Sequence, residues 1–180
     1  MTQPTQILVD AWLREFKKHK SYIDGAAAQL TDEQFRARPA PNINSVAIII
    51  RHLAGNLRSR WTDWLATDGE KPDRNRDGEF IDDGEPRAAL MRRFEDGWVL
   101  VFKALEALTP ADLSRTITIR AEPHSVPLAI ERQLAHVAYH AGQIMLIARW
   151  VAGNEGWKWQ TVPPGGSAAF NRDMQKKHGH

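Results

Sequence analysis

Four stretches of twenty-odd residues, each carrying an apolar stripe, limit what this chain can fold into more than any other feature. In the first, residues 5–29, Leu8, Trp12, Phe16, His19, Ile23 and Ala26 recur at spacings of three and four, with Leu30 next in line. That spacing puts them on one face of an α-helix, and such a face must be covered by other helices. The second stretch, residues 45–66, opens on Val46-Ala47-Ile48-Ile49-Ile50. This end is apolar almost all round and is expected to be buried on most sides. In the third, residues 86–108, the stripe is Leu90, Phe94, Trp98, Val101, Leu105 and Leu108, and Pro86 suits the first helical position. The fourth, residues 127–151, ends at Gly153 and Gly156. Helices of this length are each about 30 Å long, and four of them suit an all-α four-helix bundle.

The connections are also readable. Thr31 followed by Gln34 has the form of a capping box for a short turn, after which Pro39 and Pro41 break the chain. Thr109-Pro110-Ala111-Asp112 caps a second short turn. Thr116-Ile117-Thr118-Ile119 alternates as a strand does and Ala121-Glu122-Pro123 reads as a turn, so a small β-hairpin is expected between helices three and four. Residues 67–84 form a loop of Asp, Gly, Arg and Asn with little else; at that length a loop is either functional or poorly ordered. Residues 157–180 hold Pro163-Pro164-Gly165-Gly166 and few apolar residues, and are expected to be an irregular tail. Neither a repeat nor a linker divides residues 1–180, and a chain of this size can bury about 70% of its unfolded surface as a single domain.

Composition excludes several functions. There is no cysteine, which removes disulfides, thiolate nucleophiles and cysteine metal sites together. That fits a cytoplasmic location. No apolar run reaches the ~20 residues needed to cross a bilayer, and Met1-Thr2-Gln3-Pro4 lacks the pattern of a signal peptide. The 24 Lys and Arg against 22 Asp and Glu leave a net charge of 24 − 22 = +2. Arg and Asp interleave, as in Asp73-Arg74-Asn75-Arg76-Asp77, so neither nucleic acid nor membrane is expected as a partner.

His136 and His140, in Gln133-Leu134-Ala135-His136-Val137-Ala138-Tyr139-His140, carry the sharpest chemical signal. Residues four apart share a helix face, so both rings can point at one ion. Their neighbours are apolar, and two buried imidazoles side by side cannot both be charged. His52, within Ile48-Ile49-Ile50-Arg51-His52-Leu53-Ala54-Gly55-Asn56, lies about 10 Å along its helix. That depth is similar to the depth of the pair along theirs. For a lone histidine, a core residue satisfied by hydrogen bonds is the commoner explanation. If the two helices are neighbours entered from the same end, all three rings meet, and a tetrahedral ion keeps a fourth position open for chemistry.

With these residues in view, the chain resembles the DinB/YfiT-like superfamily of four-helix-bundle metalloproteins, in a branch mostly of unknown function. The resemblance spans nearly the whole chain and rests on residues 45–56, Arg120-Ala121-Glu122-Pro123-His124, residues 133–143 and Pro163-Pro164-Gly165-Gly166-Ser167. It implies a divalent metal, Zn or Ni, held by His52, His136 and His140. It also implies thiol-dependent chemistry: a transferase or isomerase using bacillithiol, mycothiol or glutathione. A divalent ion can hold sulfur as thiolate at neutral pH, where a free thiol of pKa ~8.5 is mostly protonated. Without cysteine in the chain, that sulfur must arrive with a small-molecule cosubstrate. The alternatives are a metallohydrolase using metal-bound water and a stress-associated protein that binds metal without turnover.

Asn56, one turn beyond His52, and Gln143, one turn beyond His140, are candidate substrate-binding residues. No Asp or Glu falls on the histidine faces, so no general base can be named. Arg51, Arg58 and Arg60 read as a solvated face, with anion contact the sharper alternative. His19, within the basic run Lys17-Lys18-His19-Lys20, reads as partly exposed; His124, in the hairpin, could reach the mouth of the pocket, though turn chemistry beside Pro123 explains it as readily; His178 and His180 lie in a polar tail and could bind metal only loosely. Trp61 and Trp64 suggest an exposed patch for a homodimer.

Overall fold

A computed structural model describes residues 4–179. They are mostly helical, with one small antiparallel sheet. The helices are α1 (Pro4–Ala27), α2 (Asp32–Arg36), α3 (Val46–Trp61), α4 (Arg87–Glu106), α5 (Val126–Ala152) and α6 (Ser167–His178). The strands are β1 (Thr116–Ile119) and β2 (Glu122–Ser125). Each of the four long helices packs on two of the others: α3 on α4 and α5, α1 on α5 and α4. Phe16 lies at the centre, edge-on to Trp61 and Trp98 with ring centroids 6.1 Å away in each case.

Local chemistry sets the helix starts. Ser45 and Ser125 cap α3 and α5, their hydroxyls accepting from the amides of Ile48 and Leu128. Both halves of the Thr31–Gln34 capping box form. Pro86, expected as the first helical residue, is instead the N-cap of α4, which begins at Arg87.

Several expectations are corrected. The helix carrying His52 ends at Trp61 rather than near 66; Asp63 takes a left-handed φ of 46° and the chain turns back. Trp61 and Trp64 are therefore buried in the core with ring centroids 4.9 Å apart, and they form no exposed dimer patch. In the hairpin, Glu122 and Pro123 belong to the second strand, pairing with Ile119 and Thr118. The turn is Arg120-Ala121, with φ of 57° and 63°, the two-positive-φ geometry that matches strand twist. Neither residue is glycine; the Asp68 carboxylate offsets that strain by accepting from both turn amides at 2.8 Å. Burial pushes the Asp68 carboxyl up, but the amides of Glu70, Ala121 and Arg120 outweigh it and hold the group below the usual carboxylate range.

The tail is not irregular throughout. Lys158 exchanges hydrogen bonds with the Gln29 side chain, and Arg149 stacks over the Trp159 ring at 4.4 Å. Beyond it α6 forms, with every described residue exposed.

The loop of residues 67–84 runs as a strap along α3. Arg58 pairs with Asp73 at 2.9 Å and Arg51 with Asp83. The Ser59 hydroxyl and the Arg60 guanidinium both donate to the Gly69 carbonyl. A short 3-10 turn, Asp77–Phe80, brings the strap against the middle of α3. No helix among the described residues is long and apolar enough to cross a membrane.

Candidate metal centre

The contact between α3 and α5 brings His52, His136 and His140 together. The Nε2 atoms of His52 and His140 each lie 3.2 Å from Nε2 of His136, and one ring nitrogen from each of the three falls within 4.8 Å of the others. Two nitrogens bound tetrahedrally to one ion at ~2.0–2.1 Å stand about 3.3 Å apart. The two 3.2 Å spacings are compatible with ligands around a shared cation.

The outer nitrogens fix the tautomers. His52 Nδ1 is 2.9 Å from Glu79 Oε2, and His140 Nδ1 is 2.9 Å from Gln143 Oε1. Both oxygens only accept, so each Nδ1 carries the proton, and in the neutral rings each Nε2 turns a lone pair toward His136. A neutral His136 has one proton at most, so hydrogen bonds cannot bridge both close contacts. The three nitrogens could instead share one metal ion. His136 Nδ1 is buried without a hydrogen-bond partner.

Burial, followed by the neighbouring histidines, pushes His136 down to about 3 and His140 down to about 4 from an ordinary 6.5. Ligand histidines must be neutral, so both rings stay ready to bind well below neutral pH. Stability is linked to the same shift. When the pH falls below 6.5, the unfolded chain takes up protons that the folded rings refuse, and the stabilisation present above that pH is lost toward pH 4. His136 alone should cost the metal-free protein on the order of 2 kcal/mol between pH 6.5 and 4.5. Denaturant titrations across that range should show a steeper loss than in His136→Gln; equal slopes would refute the assignment.

Sequence reasoning missed the residue beside His52. Glu79 comes from the strap, is buried, and receives Arg74 in a two-pronged pair, with Nε at 2.8 Å and Nη2 at 2.9 Å. Burial pushes the Glu79 carboxyl up; the hydrogen bonds from His52 and Arg74 outweigh it and hold it low. A carboxylate held so firmly orients His52 rather than carrying protons, the usual role of an acid behind a ligand histidine. Gly55, one turn beyond His52, leaves room for it, since a Cβ at that position would overlap the Glu79 carboxylate. Phe80 stacks on the His52 ring, centroids 4.8 Å apart. The length of the loop was the one signal pointing here; no periodicity ties position 79 to position 52.

The two candidate substrate residues separate. Asn56 is buried and accepts from Gln133 Nε2 at 3.0 Å, and both line a cavity of about 280 Å³ that also reaches His52 and His136. Gln143 does not line that cavity; its contact is with His140, which it orients. A larger cavity of about 530 Å³ lies on the other flank of the strap, past Gly55, and none of its lining residues is a histidine. His19, His124 and His178 stand outside the trio, and His180 lies outside the described residues.

A family profile matches residues 4–166, a span that includes His52, Glu79, His136 and His140 and stops before α6. The chain belongs to DUF1572, a family of proteins of unknown function. Neither the curated proteins nor the solved structures contain a match to it. Within this DUF1572 chain, then, the chemistry has to be read from the site itself.

Proposed function

We propose that this DUF1572 chain is a divalent-metal-dependent enzyme built as a four-helix bundle of the DinB/YfiT-like type, with Zn or Ni held by His52, His136 and His140. The convergence of three Nε2 atoms beside a cavity carries the reading. When bound, the ion supplies Lewis acidity, which lowers the pKa of a thiol or water ligand. The chain's residues do the rest. Glu79 and Gln143 set the tautomers of His52 and His140. Phe80 covers one face of His52. Asn56 and Gln133 form a hydrogen-bonded pair on the cavity wall.

Because the chain has no cysteine, a thiol-dependent transferase must take its sulfur from a low-molecular-weight cosubstrate. The test is to load the protein with Zn or Ni and follow conjugation of glutathione, bacillithiol or mycothiol to a chromogenic electrophile. Turnover above the uncatalysed rate that disappears in His136→Ala is expected. Stoichiometric metal with no turnover of any thiol, and none of ester substrates, would instead identify a metal-binding protein that does no chemistry.

A further inference from the structure

The cavity beside the histidines is unusually basic for a chain of net charge +2. Five arginines line it: Arg60, Arg74, Arg76, Arg120 and Arg132. They come from α3, the strap, the hairpin turn and α5, so no stretch of sequence announces the cluster. The carboxylates paired with them at 3.3 Å or less are Glu70, which serves Arg60, Arg74 and Arg120, and Glu79, which serves Arg74. Five guanidinium groups against two carboxylates leave 5 − 2 = +3. Asp77, 3.7 Å from Arg76, is almost fully exposed and does not line the cavity.

The hydrogen-bond inventory points the same way. Arg132 has no ion pair or side-chain hydrogen bond among the described residues. Arg120 uses only its Nε on Glu70, which leaves both terminal nitrogens free. Arg76 is half-exposed and lies over the Phe80 ring. Arg60 is buried, and its Nε has no partner. Like charges gathered in one concavity repel unless an anion joins them, and guanidinium forks match the oxygens of phosphate and carboxylate two at a time. A volume of about 280 Å³ falls just below the range for drug-sized ligands, roughly 300–1,000 Å³, and so suits only a small molecule.

We infer that the substrate is a small anion bearing a phosphate or paired carboxylates, which Arg76, Arg120 and Arg132 hold so that its reactive end reaches His52 and His136. The inference rests on the metal-enzyme reading for the word substrate, but the anion site stands on the arginines alone. Arg132 and Arg76 select the ligand by charge, while Arg74 and Arg60 are committed largely to holding the strap.

The full chain, with and without Zn, should be titrated calorimetrically with inorganic phosphate and with malonate. One of the two should bind, at least tenfold more weakly in Arg132→Gln and in Arg76→Gln and more weakly as NaCl rises, with Zn content unchanged in both variants. Preference for phosphate indicates a phosphoester, and preference for malonate a polycarboxylate. If neither anion binds, or if both variants bind as the parent does, the inference is overturned. Zn binding with no anion binding defeats this inference and leaves the metal centre standing. Arginine-dependent anion binding by a chain that never holds Zn does the opposite.

Discussion

His136→Ala protein should fold and yet hold less than a tenth of the zinc bound by the parent chain. His136 Nε2 is the shared neighbour of the other two ligand atoms, 3.2 Å from each, so its removal leaves two ligands with nothing between them. Loss of a residue that merely orients a ligand costs 10–100-fold in metal affinity, and loss of a ligand itself should exceed about a hundredfold. Folding should survive, because the ring is half-buried and contributes less to the core than its apolar neighbours. Metal content after dialysis, with chelator competition for the affinity, measures the first effect. Thermal unfolding measures the second: Zn should raise the Tm of the parent by mass action and leave the variant unmoved. A variant that retains stoichiometric Zn would remove the basis of the metal reading.

Glu79→Ala should be the most destabilising single change at the site. Glu79 is a buried carboxylate between the Arg74 guanidinium and His52 Nδ1, and Arg74 itself has only 4% of its side chain exposed. Removing the acid leaves the buried Arg74 guanidinium with Glu70 alone, a carboxylate already shared with Arg60 and Arg120, and breaking a buried pair in this way costs about 3 kcal/mol. It also frees the tautomer and orientation of His52, so metal affinity should fall 10–100-fold. Gly55→Ala reaches the same end from the other side, by filling the space the carboxylate occupies. Urea unfolding and Zn competition should show both variants losing stability and affinity together. If Glu79→Ala unfolds at the parent's midpoint, the strap is not held by this pair.

How much could be read from the sequence differed by element. The long helices were legible because their apolar positions repeat with the helical period, and the Thr31–Gln34 box of the short α2 because both partners lie within three residues; the caps Ser45 and Ser125 emerged only in the structure. The hairpin was legible in its first strand, Thr116–Ile119, where burial alternates. Its turn was not, because a carboxylate some fifty residues away, Asp68, offsets the positive φ of Arg120 and Ala121. Trp61 and Trp64 were misplaced because helix length alone cannot say where the chain turns back. The His136–His140 pair was visible as a four-residue spacing, whereas the part played by Gln143 depended on which way one amide points.

By itself, then, the sequence determined the four long helices, most of their buried faces and three histidines that could face inward, because those properties follow from periodicity within a single element. The tertiary structure alone decided that α3 and α5 meet at the depth where the three rings converge. It alone brought the strap back to set Glu79 behind His52, and it gathered five dispersed arginines around one cavity. The reason is physical. Coulomb forces and hydrogen bonds act through space over a few ångströms, and chain separation says nothing about that distance until packing has set it.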